Sequence, residues 1–464
     1  MVNEPTWKTF LWRTTLAASF LVFFVALFYG VENSRGLATW RAAQQRLRAK
    51  GEFLDWSRCI PPPVPAESNF FGAPGMTQFF VRGATNLSGY SLSSLSGNRQ
   101  TTENIITAAS ASNYLAWTAL SSRQLKLIAE ALQRPNARID GDYQHPDRIP
   151  IANFVAYRTV CQVLAHQAKC HLCLNQPELA LNDATQLYQL SQTLVRDNPY
   201  PMLVNGMVHV AITSLYAEMV AYGLDGHIWQ EAQLKILDAQ MAGYDLYKVY
   251  QGMLVASRNS ESDILDELSA NHDPLLVYNV FDTSTNLASL SLYLLPQGWI
   301  NQNKALCLTL DEMAATIFNT TNRTIAPLAA QHLNEAVDRA FANKSPYNFV
   351  AAMMIPNCTK SLARTARNQT WLDQARIVVA MERFRLASHT LPTSLTNLVP
   401  AYLPQIPRDV FTGLPMNYQL RADQSILLWS VGWNVMDEGG YISQTSDGKE
   451  DPENGDWVWH YPMN

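Results

Sequence analysis

Charge is what this chain has least of. Asp, Glu, Lys and Arg make up 16% of its 464 residues, against about a quarter in ordinary soluble domains. Its 34 basic residues are scattered and the formal net charge is −5, so no basic stripe with interleaved aromatics offers itself to nucleic acid. The signatures of the commonest enzymes are missing as well. There is no G-x-x-x-x-G-K-[ST] to cradle phosphates, no G-x-G-x-x-G, no zinc-binding H-E-x-x-H and no G-x-S-x-G nucleophile elbow. These absences weigh against nucleotide-dependent and hydrolytic chemistry. No reaction is assigned, and the balance falls toward a protein that is not an enzyme. The six cysteines are an even number, compatible with an oxidising compartment.

What the chain does have is apolar length. Hydrophobic residues make up 47%, and the chain is long enough for roughly two to four domains. Residues Thr14 to Val31 carry no charge. With Phe10, Leu11 and Trp12 ahead of them, interrupted only by Arg13, they reach the ~20 residues that span a bilayer. No other run is read as a span. The rival reading is a cleaved signal peptide. The run is long and Phe-rich, and the helical pattern continues through Leu37, Trp40 and Leu47, which favours an uncleaved anchor over residues 1–33. Lys8 and Arg13 precede the span, whereas Arg35, Arg41, Arg46, Arg48 and Lys50 follow it, so charge alone does not place the bulk of the chain outside.

Beyond the anchor, residues 34–66 read as a helical stalk ending in the polyproline-type spacer Pro61 to Pro65. Residues 67–148 read as a long irregular segment with a helix, its aromatic pairs Phe70-Phe71 and Phe79-Phe80 serving as core anchors. Residues 149–370 read as helical hairpins, with one convincing pair of the tetratricopeptide type closed at Asn175 to Glu178, where Ala180 and Ala184 supply small packing residues. The stretch from Asn271 to Gly298 is apolar and Ser/Thr-rich, broken at Pro274 and Pro296. Residues 371–464 read as a small α+β module. Ile377, Ala380, Met381 and Phe384 repeat at helical spacing, Pro392 closes that helix, and turns and short strands follow.

Few side chains are spaced for chemistry. Cys161, His166, Cys170, His171 and Cys173 fall in one helix, where His166, Cys170 and Cys173 share a face. Packing or a disulfide explains them better than zinc, whose remaining ligands would have to come from another helix. His209 and Glu218 lie nine residues apart on opposite sides of an apolar helix, and Arg258 and Glu261 lie three apart on one face of another. The acidic, glycine-rich run from Asp437 to Asp456 places oxygen ligands in a loop tied down by strands, which suits a hard cation and equally a solvated acidic loop.

The C-terminal region resembles the globular part of the major pseudopilins of type II secretion. The matching residues are Tyr402-Leu403-Pro404, Pro407 to Phe411, Gly413-Leu414-Pro415 and the strand Leu427 to Gly432. The resemblance implies a small antiparallel sheet followed by a calcium-binding loop. Carried over, it implicates Asp437, Asp451 and Asp456 as metal ligands. The pilin cleavage site and its helix Glu are absent from the N-terminus, so a pilin-like module is implied and not a pilus subunit. Over nearly its whole length the chain also resembles a group of bacterial membrane-anchored proteins without an assigned activity. The matching residues are Pro61 to Pro65, Asn69-Phe70, Trp429 to Asn434, Asp437 to Gly440 and Gly455 to Trp459. That resemblance implies the bacterial inner membrane, crossed once, with the bulk of the chain periplasmic.

The expected fold is mainly α: a single N-terminal transmembrane helix, an irregular tetratricopeptide-like helical-hairpin middle, and a small C-terminal α+β module with a short antiparallel sheet. The expected role is a membrane-anchored envelope protein acting as a structural or accessory subunit. Its partners would be membrane lipid at the N-terminal helix and another protein or larger membrane complex, not nucleic acid. The alternative is an envelope enzyme or solute-binding protein with its pocket in the helical domain around His209. No cofactor is required, and calcium at the acidic loop is the one ion implied.

Overall fold

The computed structural model describes residues 6–84, 90–95, 106–271, 295–355 and 357–462. Most of the stretch from Asn271 to Gly298, with its break at Pro274, and parts of the irregular segment before residue 106 lie outside the described residues. The chain is mainly helical, with a small antiparallel sheet near its C-terminus. In chain order the helices are α1 (Thr6–Ala49), α2 (Met76–Phe80), α3 (Ala108–Ala119), α4 (Ser122–Ala131), α5 (Phe154–Cys173), α6 (Pro177–Gln192), α7 (Leu203–Asp225) and α8 (Glu231–Ala242). They continue as α9 (Leu246–Asn271), α10 (Gln297–Thr316), α11 (Pro327–Phe341), α12 (Phe349–Met354) and α13 (Cys358–Ser388). A hairpin of β1 (Phe318–Asn319) and β2 (Thr324–Ile325) falls between α10 and α11. After α13 come β3 (Asn417–Leu420), β4 (Ile426–Ser430), β5 (Ile442–Gln444), β6 (Glu450–Gly455) and β7 (Trp457–Tyr461).

Two compact units interleave along the chain. An anchor unit takes residues 1–56, 258–313 and 333–356, and a main unit takes 57–257, 314–332 and 357–464. The expected hairpin region 149–370 therefore contributes to both.

In the anchor unit, every side chain from Phe10 to Phe28 is exposed, and α1 then continues without a break. From Glu32 onward one face is covered, at Glu32, Gly36, Trp40, Ala43 and Leu47, the spacing of a helical stripe. Trp40, Ala43 and Leu47 pack with Ala305 and Leu308 of α10. At Gly36 the approach is backbone to backbone, since a Cβ there would stand 2.1 Å from the Gly298 carbonyl oxygen, so only glycine fits. The apolar N-terminal helix is thus long enough to cross a membrane and also supplies part of a folded core. Among the described residues α7 is also long and apolar enough to span, which the sequence reading did not credit, but half of it is buried. Its Val210, Tyr216, Val220 and Leu224 belong to the main core, as in a soluble helix surrounded by protein.

In the main unit, α5 and α6 form the expected antiparallel pair. Asn175, at φ +56°, turns the chain, and Pro177 opens α6, where its missing N–H costs nothing. Ala180 and Ala184 are fully buried and let the two axes close. The central element is α13, whose Ile377, Val378, Val379, Ala380 and Met381 are all buried. It is covered by α7, α8 and the sheet, which explains an apolar run with no polar face. Phe384 is partly buried, its ring 5.7 Å from that of Tyr402. The sheet order is β3-β4-β7, all antiparallel, with Leu428 opposite both Tyr418 and Trp459. Trp457, Trp459 and Tyr461 alternate inward along β7, as a pleat requires. Gln374 Nε2 of α13 donates to the carbonyl of Trp457 at 2.7 Å and to that of Leu428 at 3.3 Å. Phe70, Phe71, Phe79 and Phe80 are core residues, as expected.

Candidate functional site

The three carboxylates implicated as metal ligands do not act together. Asp437 Oδ1 accepts from Trp429 Nε1 at 2.9 Å and from the Gly439 N–H at 3.1 Å. Asp456 is 1% exposed, and its Oδ2 accepts from the N–H groups of Glu438 (3.1 Å), Gly440 (2.7 Å) and Tyr441 (3.3 Å). Its other oxygen, Oδ1, is buried with no hydrogen-bond partner among the described residues. Burial raises the Asp456 pKa and the nearby charge of Asp437 adds to this, against the lowering by the three N–H donors. Asp451 sits on an exposed tip, accepting from Asn454 Nδ2 and the Glu453 N–H at 2.9 Å each, and the Asn454 bond leads in lowering its pKa. Asp437, Asp451 and Asp456 do not bring their oxygens within 4.8 Å of one another. Asp437 lies near enough to Asp456 to act on it electrostatically, whereas Asp451 bonds within its own turn.

The helical candidates resolve into packing. His209 is 1% exposed, its Nδ1 lies 2.9 Å from the Ser191 carbonyl, and its ring lies 5.5 Å from that of Tyr244. Burial lowers its pKa to about 4, so at neutral pH it is an uncharged, satisfied core residue. Glu218, across the helix, is exposed beside Lys169. Arg258 and Glu261 are buried in the anchor unit, where Arg258 pairs with Glu52. Among the described residues no disulfide joins any of the cysteines. Burial pushes Cys170 up to about 12, which leaves an inert thiol. Cys173 Sγ donates to the Ile106 carbonyl at 3.4 Å, and His166 stands against the Tyr114 ring at 4.2 Å. His171 points away from that face and meets Asp183 at 2.8 Å.

Two polar clusters escaped the sequence reading. One is the His171–Asp183 pair, with Asp183 7% exposed. The other centres on Glu382 of α13, which has no exposed surface. Its carboxylate accepts from Arg385 at 2.6 and 2.7 Å, from the Tyr461 hydroxyl at 2.7 Å and from His227 Nδ1 at 3.1 Å. These donors lie 79 and 155 residues away in the cases of Tyr461 and His227, so local spacing carried no trace of them. The local signal was the i,i+3 spacing of Glu382 and Arg385 at the end of the apolar run 377–381.

No family model matches the chain, and no curated protein or solved structure is detectably similar to it.

Proposed function

We propose that this is a membrane-anchored protein of the bacterial cell envelope that serves as a structural or accessory subunit through protein–protein contacts. The observation that carries this reading is α1: an exposed apolar length matched to a bilayer runs directly into a stripe buried in a folded unit. Such a helix holds the protein at a membrane as a continuation of the fold and not as a detachable leader. The main unit would present the partner surface. Ile151, Phe154 and Val155, at the start of α5, are 41%, 46% and 60% exposed, and the tetratricopeptide-like α5–α6 pair would supply a helical face of the kind that takes protein ligands. The pseudopilin-like C-terminal module and the family resemblance support a periplasmic location for the bulk of the chain. Gentle solubilisation of native membranes, followed by cross-linking and mass spectrometry of what stays with the protein, tests the reading. A stoichiometric companion is expected; a lone monomer refutes it. A phosphatase fused to the C-terminus is expected to be active, and an inactive one refutes the orientation.

One further reading is favoured by a specific atom. The buried, unpartnered Oδ1 of Asp456 beside Asp437 supports calcium at the C-terminal loop. Calcium would hold that carboxylate as the anion and tie the loop to the sheet. Chelator is expected to lower the melting temperature, and an unchanged value ends this idea.

A further inference from the structure

The main unit carries an open groove of about 320 Å³ between α3, α4, α5 and α6. Leu115, Leu125 and Leu164 form an apolar wall, Gln167, His171 and Asp183 form a polar one, and Lys126, 78% exposed and paired with Glu130 at 3.9 Å, stands at the solvent edge. Gln167 and His171 are four apart on α5, so they project from one face, one turn apart. Gln167 Nε2 donates to Thr118 Oγ1 at 2.8 Å, which leaves its carbonyl oxygen as an acceptor. Asp183 Oδ2 lies 2.8 Å from His171 Nδ1. A carboxylate in that position holds a proton on Nδ1, and in the neutral ring Nε2 then carries the lone pair and accepts. Among the described residues no group bonds to Nε2.

The groove therefore shows two acceptors on one helix face, a buried carboxylate behind them, and a hydrocarbon wall opposite. We propose that it binds a small amphipathic molecule through a hydrogen-bond donor, an ammonium or a hydroxyl on a compact apolar body, held by His171 Nε2 and Gln167 Oε1. Pockets of this size with few convergent polar groups are the usual form of small-ligand sites. The site is built for binding. Thr118 Oγ1 donates to the Leu115 carbonyl, and neither it nor Ser122, the second hydroxyl of the lining, is hydrogen-bonded to His171, so no nucleophile is activated. Asp183, which the sequence places at an ordinary buried helix position, is the positioning residue that sets the tautomer. This goes beyond the subunit reading and stands or falls without it.

The test uses the full-length protein in mild detergent with 15N-labelled histidine. It is titrated with cyclohexylamine, cyclohexanol and cyclohexanecarboxylate, one ring with three head groups. A saturable shift of the His171 Nε2 resonance is expected with the amine or the alcohol, and binding of the carboxylate is expected to be weaker by about tenfold or more. Asp183→Asn is expected to weaken binding about tenfold and to move the Nε2 resonance of the free protein, a change that loss of packing alone would not give. Ala129→Trp and Gln186→Trp fill the groove from two sides, and both are expected to abolish the shift at an unchanged melting temperature. The proposal is overturned if no probe shifts His171, if the carboxylate binds as well as the others, or if folded groove-filled variants bind like the wild type.

Discussion

Replacing Glu382 with Gln removes one charge from the centre of the main unit while keeping the side chain's shape. Its carboxylate takes a two-pronged contact from Arg385, a hydroxyl from Tyr461 and a ring nitrogen from His227. An amide has one acceptor oxygen and must turn its NH2 toward a donor, so about two charge-assisted bonds are lost, at ~1.5 kcal/mol each. Arg385 and His227 are 31% and 42% exposed and can be rehydrated, which holds the cost to the lower end of the ~3–5 kcal/mol of a fully buried broken pair. The expected destabilisation is about 3 kcal/mol. Tyr461→Phe should cost about 1 kcal/mol, and the double variant should fall short of the sum by a similar amount, because the two groups share one bond. Urea unfolding in mild detergent measures all three. The pH dependence gives a second check. Burial alone would raise the Glu382 pKa, but the bonds from Arg385 and Tyr461 and the charge of His227 bring it below its usual 4.5. A depressed carboxylate contributes stability above its unfolded value and loses it as pH falls through its folded one. The gap between wild type and Glu382→Gln should therefore be full at neutral pH and shrink below about 4.5. A variant within ~0.5 kcal/mol of wild type, or a gap that ignores acid, would refute the network.

Other expectations follow from the same geometry. Gly36→Leu drives a side chain into the Gly298 backbone and should cost about 3 kcal/mol or more, seen as new protease cleavage in the anchor unit just after the exposed part of α1. His209 has its pKa lowered from 6.5 to about 4 by burial. Its neutral form is required for folding, so wild type should lose about 3 kcal/mol as pH falls from 6.5 toward 4, and His209→Phe should flatten that slope in a pH series of unfolding curves. Asp456→Asn disturbs an acceptor of three backbone N–H groups and should cost ~2 kcal/mol, whereas Asp451→Asn, on an exposed tip, should stay within ~0.5 kcal/mol; equal effects in thermal melts would contradict the separation of their roles.

The parts of the fold that the sequence carried were those in which one short segment decides. The α5–α6 turn is legible because Asn175 and Pro177 act locally. The central helix is legible because Ile377, Ala380 and Met381 repeat. The β1–β2 hairpin was missed because two-residue strands between helices leave no periodicity to detect. α7 was not credited as a span because its Gly, His and polar residues interrupt the apolar run, although half of it is core. At the candidate sites the limit is different. His209 looks like an active histidine in an apolar helix, and only the Ser191 carbonyl, 18 residues away, makes it a satisfied one. Asp437 and Asp456 share a neighbourhood because β7 brings the chain back, while Asp451 does not because its partners Glu453 and Asn454 are its own neighbours. Spacing cannot distinguish those two cases.

If α1 crosses a membrane as proposed, three features point to a boundary near Phe28 to Glu32. Between Arg13 and Glu32 lie the uncharged residues 14–31, a rise of about 27 Å at ~1.5 Å per residue, close to the ~30 Å of a hydrocarbon core. Glu32 is the first buried position, accepting from Trp299 Nε1 at 3.0 Å, so a carboxylate that would be costly in lipid is satisfied by protein where lipid stops. The Trp299 ring contacts Phe28 and Tyr347, with centroids 6.0 Å apart in each case, and aromatic residues of this kind favour the headgroup layer. A spin label at Val25 should therefore be relaxed by oxygen and one at Arg35 by a water-soluble nickel chelate, in protein reconstituted in bilayers. Labels placed along 32–47 should be least mobile at Trp40, Ala43 and Leu47. If the label at Arg35 lies in lipid, or mobility along that stretch shows no helical period, α1 does not pass from membrane to folded core as one helix.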